Sequence, residues 1–188
     1  MVRYRFRAVG ALLVPLLGLL GACGGSEGHN AQDVSFAQTM IPHHAQAIEM
    51  ADMASSRATA SAVRELAARI KAAQQPEIGQ MRAWLSGWGE AVPSGGMGAG
   101  DQGAGDHGGG MMMSEQDMAA LGGASGLAFD RMFLTMMVAH HNGAIEAAKQ
   151  EVDKGSSGPA KKLAVSIRDS QQDEVTEMDA ILGGLPAA

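Results

Sequence analysis

The pattern Met-x-x-His-His occurs twice in this chain of 188 residues. Imidazole nitrogen and thioether sulfur, without a cysteine thiolate, form a donor set that favours copper, above all Cu(I), over zinc, calcium or magnesium. Thioethers do not titrate, so only the histidine share of the affinity should fall below about pH 6. We therefore predict a site for copper, as Cu(I) or Cu(II), formed by Met40, His43, His44, Met137, His140 and His141.

Both copies of this pattern belong to an internal duplication. Residues 36–85 align with residues 133–182 at a constant offset of 97, without gaps and with 17 identities in 50 positions. Each copy carries two helical periodicities separated by a break. The sequence therefore predicts two helical hairpins that close into an all-α four-helix bundle.

Local signals predict where these helices begin and end. Ser35 and Gln38 have the spacing of a capping box at the start of the first helix. In the second copy, Gly155 is expected to end one helix and Pro159 to lie in the first turn of the next. The predicted units are a hairpin over 33–86, a Gly/Met-rich linker over 87–126 with a short helix after Ser114, and a hairpin over 127–184.

Helical periodicity places further polar and sulfur-bearing residues on the inward faces. An unpaired buried polar group costs about 1 to 3 kcal/mol, so several of them buried together need partners. A metal ion supplies these partners by binding imidazole and thioether, with glutamate or glutamine as further ligands or as hydrogen-bond partners of the ligands. We expect these roles for Met50, Gln74, Glu77, Met81, Met136, Gln171, Glu174 and Met178.

A metal-free interpretation uses the same residues. Methionine at helical spacing is often core filler, and the histidines can pair across the bundle with Gln74 and Glu77 without an ion. Repetition of the pattern on an inward face of both copies favours the metal site. Pro42 has Ala139 as its counterpart, so the two halves are expected to differ in metal affinity or access.

The N-terminal residues have the form of a bacterial export signal. Three arginines precede an apolar run that is shorter than the roughly 20 residues of a membrane-spanning helix. The run ends in Leu-Gly-Ala-Cys, which resembles a lipobox; a plain secretory signal is the alternative. We predict a signal peptide over 1–22, a lipid anchor on Cys23 at the outer face of the membrane, and a flexible tether over 23–32.

Composition and motifs exclude several classes of function. The net charge of −6 disfavours nucleic acid as a partner, and the single cysteine excludes an intramolecular disulfide or a Cys-based metal cluster. Two G-x-G-x-x-G matches in the linker lack the strand and helix that a dinucleotide site requires. Because no catalytic motif or paired catalytic acids occur at a recognisable spacing, we predict no enzyme activity.

The two histidine motifs also resemble the twin signatures of a bacterial family, the domain-of-unknown-function family 305. The motifs are Met40-Ile-Pro-His-His44-Ala-Gln-Ala-Ile-Glu-Met50-Ala and Met137-Val-Ala-His-His141-Asn-Gly-Ala-Ile-Glu146-Ala-Ala, and the resemblance covers about residues 33–184. It implies a ferritin-like bundle and the copper binding attributed to some members. The di-iron site of other ferritin-like proteins is not expected, because the chain contains no Glu-x-x-His.

These observations predict an exported metal-binding protein that sequesters or buffers copper at the cell envelope. Its partners would be the metal ion and the membrane, the latter through the N-terminal lipid, with a homodimer or a metal-transfer partner left open. Two alternatives remain: a ferritin-like, metal-dependent redox enzyme, and a metal-free envelope interaction module whose histidines only pack.

Overall fold

The computed structural model describes residues 28–94 and 112–186, and every regular element within them is a helix. The predicted all-α bundle of two hairpins is therefore confirmed, with one additional short helix between the hairpins. The predicted signal peptide, Cys23 and much of the glycine-rich linker lie outside the described residues. The helices are α1 (Ala31–Arg57), α2 (Ser61–Trp88), α3 (Glu115–Gly123), α4 (Gly126–Lys154) and α5 (Gly158–Gly184).

The first helix begins earlier than its sequence pattern suggested. The Asn30 side chain accepts hydrogen bonds from the backbone of Gln32 and Asp33, and the Asp33 carboxylate accepts one from the Asn30 N–H at 2.6 Å. This capping box satisfies the N–H groups that would otherwise be unpaired at the helix start. The capping box predicted at Ser35 and Gln38 was wrong, and the end of the predicted tether is helical.

The other helix ends agree more closely with local signals. Helix α2 ends at Trp88, and Gly89 takes the left-handed conformation (φ 76°) that commonly follows a helix C-terminus. The short helix expected after Ser114 is confirmed, and Ser114 forms a capping box with Asp117. Pro159 lies in the first turn of α5, where its missing N–H costs nothing.

The two hairpins pack together mainly through their first helices. Helix α1 packs along α2, α4 packs along α5, and α1 also packs against α4, whereas α2 and α5 make few contacts. The start of α1 lies beside the turn that follows α4, so these two helices run antiparallel. The duplicated hairpins are thus related by an approximate two-fold axis between α1 and α4.

Two buried aspartates fasten each hairpin to the turn of the other. Asp33, at the start of α1, accepts hydrogen bonds from the backbone N–H groups of Ser156 and Ser157 at 3.1 and 2.9 Å. Asp130, in α4, accepts from the backbone N–H groups of Thr59 and Ala60 at 3.0 and 2.9 Å. We call these contacts the Asp33 tie and the Asp130 tie. They occupy equivalent positions in the two copies.

The core consists of two apolar clusters with the histidines at their junction. The α3-side core surrounds Met50, Phe133 and Met137, whereas the Trp-side core surrounds Phe36 and Met40 near Trp84 and Trp88. Each His-His pair is flanked along its own helix by residues of both clusters. Within the described residues, no helix has the length and apolar character to cross a membrane.

Candidate metal centre

The four predicted histidines meet in the interior of the bundle. His43, His44, His140 and His141 are all fully buried. The rings of His43 and His140 stack across the α1–α4 contact with their centroids 3.6 Å apart and an interplanar angle of 29°. Within each pair, the ring centroids are 6.3 and 6.4 Å apart. The duplication therefore brings imidazoles from both halves to one place.

Each hairpin holds its second histidine with a glutamate from the partner helix. His44 Nε2 lies 2.7 Å from Glu77 Oε2, and His141 Nε2 lies 2.8 Å from Glu174 Oε2. The glutamate side chains are only 17% and 19% exposed, so both pairs lie largely out of water. When Nε2 donates its proton to the carboxylate, Nδ1 keeps a lone pair, which is the form of imidazole that binds a metal.

Several buried polar atoms around the histidines have no hydrogen-bond partner among the described residues. They belong to imidazole rings and to the two inward glutamines, and leaving each unpaired costs about 1 to 3 kcal/mol. A metal cation would provide a partner for those of these nitrogen and oxygen atoms that carry a lone pair and no hydrogen. The atoms are His44 Nδ1, both ring nitrogens of His140, His141 Nδ1, both amide atoms of Gln74, and Gln171 Oε1.

The electrostatics of the centre keep His140 neutral. Burial lowers the pKa of His140 well below its usual value of 6.5, and the neighbouring His43, His141 and His44 lower it further. A histidine must lose its second ring proton before it can bind a metal. His140 is therefore already in the protonation state of a ligand at neutral pH.

Buried methionines accompany the histidines in both halves. Four of them are fully buried: Met40 and Met137 on the first helix of each hairpin, and Met81 and Met178 on the second. Met50 is also fully buried, while Met136 is half-buried against the α3-side core. All the methionines predicted from the sequence thus lie in or against the core that encloses the histidines.

Imidazole and carboxylate alone do not form a ready-made ion site. Among residues 28–94 and 112–186, no three or more His, Cys, Asp or Glu side chains converge in a way that could hold an ion. An ion in this centre would have to draw on thioether or amide donors as well. Of these two, thioether sulfur is the soft donor that suits monovalent copper.

Sequence reasoning missed a second buried polar cluster at the Asp33 tie. Glu151 is completely buried against Asp33; burial, together with the hydrogen bond to Asp33 and its charge, raises the pKa of Glu151 to about 8. Burial by itself would raise the pKa of Asp33, but hydrogen bonds from Glu151 and from the backbone of Asn30, Ser157 and Ser156 lower it to about 2. The pair therefore shares one proton, carried by Glu151.

One signal could have revealed the two aspartate ties. Asp33 and Asp130 have the offset of the duplication but lie just outside the aligned segment. Gln46, which is 3% exposed, also escaped notice; its side chain exchanges two hydrogen bonds with the backbone of Met113, each 2.8 Å long. Gln46 has no polar counterpart, because Gly143 occupies the equivalent position.

An all-helical bundle with paired histidines buried between two duplicated hairpins defines a class of ferritin-like proteins with an internal polar centre. The chain belongs within that class to the family described as Domain of unknown function (DUF305), whose model matches residues 33–182. The family resemblance seen in the two histidine motifs is therefore confirmed.

Solved structures of similar proteins agree with this assignment. A DUF305 protein of Streptomyces coelicolor, described as a candidate secreted protein, is 31% identical over 81% of this chain and 91% of its own, with a TM-score of 0.73. A DUF305 fragment from Deinococcus radiodurans is 31% identical over 83% and 98%, with a TM-score of 0.72. CopM in its Cu(I)-bound form is 29% identical over 81% and 96%, with a TM-score of 0.66. CopM has also been solved in Cu(II)-bound and Ag-bound forms. No curated protein matches the chain.

Proposed function

We propose that this protein binds monovalent copper between its two hairpins and buffers or sequesters it at the cell envelope. The observation that carries the proposal is the convergence of four buried histidines from both halves, with unpartnered ring nitrogens on His44, His140 and His141. The buried thioethers of Met40 and Met137 supply sulfur beside them. In this role copper is the cargo of the protein rather than a reactive centre.

The donor chemistry supports Cu(I) before Cu(II). Thioether sulfur prefers a soft monovalent ion, whereas Cu(II) favours tetragonal sites of nitrogen and oxygen. The carboxylates of Glu77 and Glu174 are engaged by His44 and His141. In the proposed site, these glutamates orient the imidazoles rather than bind the ion.

Similarity to CopM supports the same metal. CopM binds Cu(I), Cu(II) and silver in its solved structures and shares about three tenths of its residues with this chain. In this protein, the proposed copper ligands are the buried pairs His43-His44 and His140-His141. Catalysis is not part of the proposal; Glu77 and Glu174, the carboxylates that contact these histidines in the described part of the chain, act as partners of the imidazoles.

We further propose that the protein is exported and held at the membrane by a lipid on Cys23. The arginines and apolar run that precede Cys23 support export, as does the description of the Streptomyces relative. Labelling cells with a radioactive fatty acid should mark the wild type and leave Cys23→Ala unlabelled. Equal labelling of both would refute the anchor.

Metal titration tests the proposed copper site. Cu(I) or Ag(I) added to the purified protein should raise its melting temperature, since a ligand bound only by the native state stabilises that state. Replacing His43, His44, His140 and His141 by alanine should abolish this rise. His29→Ala is the matched control, because His29 stacks on Trp88 away from the centre.

The titration also separates the alternatives. An unchanged melting temperature with Cu(I), Ag(I), Cu(II), Fe(II) and Zn(II) would refute metal binding and favour the metal-free interaction module. Turnover of oxygen or peroxide by the metal-loaded protein would favour the redox enzyme.

A further inference from the structure

The methionines of this protein are distributed unevenly between its two apolar clusters, and most of them lie in or against the α3-side core. The pairs Met40/Met137 and Met81/Met178 occur in both copies and flank the histidines. Four further methionines of α1 and α4 have no methionine counterpart. These are Met50, Met53, Met132 and Met136, whose equivalents are Ala147, Gln150, Ser35 and Thr39.

The four unmatched methionines lie in one region, the α3-side core and its edge. Met50 is fully buried in that core, and Met53, Met132 and Met136 are half-buried against it. On α1, Met50 and Met53 continue the row that contains Gln46, at spacings of four and three residues. On α4, Met132 and Met136 are also four residues apart and share a face.

The segment between the hairpins adds two more thioethers to this region. Met118 of α3 is 6% exposed within the α3-side core, and Met113 packs against the same core. Gln46 fixes Met113 by its backbone: Gln46 Nε2 donates to the Met113 carbonyl and the Met113 N–H donates to Gln46 Oε1, both at 2.8 Å. The Met113 side chain takes no part in these bonds.

The anchoring of Met113 by Gln46 also has no equivalent at the matching position of the second copy. The two hydrogen bonds to the peptide groups of Met113, 67 positions away, compensate for the cost of burying the Gln46 amide. Gly143 stands where the second copy would need the same side chain. The device that fastens this segment to the bundle therefore occurs only where the additional methionines occur.

We infer that these methionines form a second, thioether-only site for monovalent soft ions, at which Cu(I) is taken up before it reaches the histidines. The inference rests on the proposed function and deepens it. Thioethers are neutral, do not compete with protons, and select Cu(I) over divalent metals. Without imidazole the site binds more weakly than the centre, as an uptake site must. Its residues are Met50, Met53, Met113, Met132 and Met136, with Gln46 as the positioning residue.

Nuclear magnetic resonance of methionine methyl groups tests this site. The full protein, labelled with ¹³C at the methionine methyl positions, is titrated with Ag(I) as a redox-stable monovalent probe. We expect a first event that shifts Met40 and Met137, and a second, at least tenfold weaker event that shifts Met53, Met113 and Met132.

Leucine variants supply the matched comparison, since exchange of methionine for leucine keeps volume and apolar character. Replacing Met53, Met113 and Met132 by leucine together should remove the weaker event and slow loading of the centre at least threefold. The tight event should persist. Met97→Leu, in the glycine-rich linker, should change neither. Gln46→Ala, which removes no sulfur, should weaken the shift of Met113 alone.

The outcomes for the two proposals are distinct. If the triple leucine variant binds and loads Ag(I) as the wild type does, the methionines are core filler and this inference is overturned while the central site stands. If His140→Ala loses the tight event and keeps the weak one, the two sites are separate as inferred. If no methyl group of the wild type responds to Ag(I), both proposals are refuted.

Discussion

The Asp33 tie and the Asp130 tie perform the same structural task with different chemistry. In each, a buried aspartate accepts two backbone N–H groups from the turn of the opposite hairpin. At the Asp33 tie a second carboxyl group, Glu151, is buried beside the aspartate, whereas its counterpart in the other half is Ala54. Duplication thus preserved the hydrogen-bond geometry, and one end gained a buried carboxyl group, Glu151, that the other lacks.

The two turns also differ at one residue, which is Gly155 at the Asp33 tie and Ala58 at the Asp130 tie. A methyl group on Gly155 would collide with the carboxyl group and with the backbone carbonyl oxygen of Glu151, although the φ of Gly155 (−66°) is open to any residue. Its counterpart is Ala58, which faces Ala54 and needs no such space. The additional acid therefore adds a side-chain collision at Gly155 to the close approach of the backbone oxygen.

The largest effect is expected from removing the aspartates themselves. Asp33→Ala leaves the N–H groups of Asn30, Ser156 and Ser157 unpaired and removes the carboxylate beside buried Glu151, so it should cost about 4 kcal/mol of unfolding free energy. Asp130→Ala loses two backbone hydrogen bonds and should cost about 2 kcal/mol. Urea denaturation of both variants at pH 7 measures the difference; equal losses would show that Glu151 contributes nothing to the Asp33 tie.

Burial of Glu151 should make the unfolding free energy depend on pH. Because the pKa of Glu151 rises from 4.5 to about 8 on folding, the native protein binds more protons than the unfolded chain between these values. Stability from this group is fully present below pH 4.5 and is lost as pH rises through about 8. Between pH 5 and pH 8 the loss should be about 3 kcal/mol.

Glu151→Gln isolates this contribution, since the amide can still donate to Asp33 but does not titrate. Its unfolding free energy should lack the decline seen in the wild type over the same range. Two other groups make the protein less stable in acid. The stability that Asp33 contributes is lost as pH falls from 3.8 through about 2, and the stability that depends on neutral His140 declines as pH falls below 6.5. A parallel pH dependence of wild type and Glu151→Gln would contradict the assignment.

A smaller effect on stability is expected from substitution of Gly155. Gly155→Ala should destabilise the wild type by about 2 kcal/mol, because the Glu151 side chain must move. In a Glu151→Ala background, which reproduces the Ala54–Ala58 arrangement of the other half, the same change should cost less, because only the approach to the backbone oxygen remains. A double-mutant cycle measures the coupling. If the cost of Gly155→Ala is the same in both backgrounds, the collision with Glu151 is not its cause.

The bundle and its buried histidines could be predicted because they follow from local rules. Helical periodicity identifies inward faces, and an ungapped duplication requires both copies to keep one geometry. The pairing of His44 with Glu77 follows from those faces, and the structure shows it with the equivalent pair His141 and Glu174. These contacts lie within the repeated segment, where each half predicts the other.

What could not be predicted depends on contacts between distant segments. Asp33 and Glu151 have the positions of ordinary helical acids, and only tertiary packing buries them together. Gln46 finds its partner in a segment outside the repeat, so neither periodicity nor the second copy indicates it. A helix start at Asn30 was missed because the cap lies before the duplicated residues.

X-ray absorption spectroscopy of the Cu(I)-loaded protein tests the central claim most directly. Copper should be bound by imidazole nitrogen together with thioether sulfur, and both signals should disappear when His43, His44, His140 and His141 are replaced by alanine. Copper bound only by oxygen ligands, or a spectrum unchanged in the four-histidine variant, would contradict it.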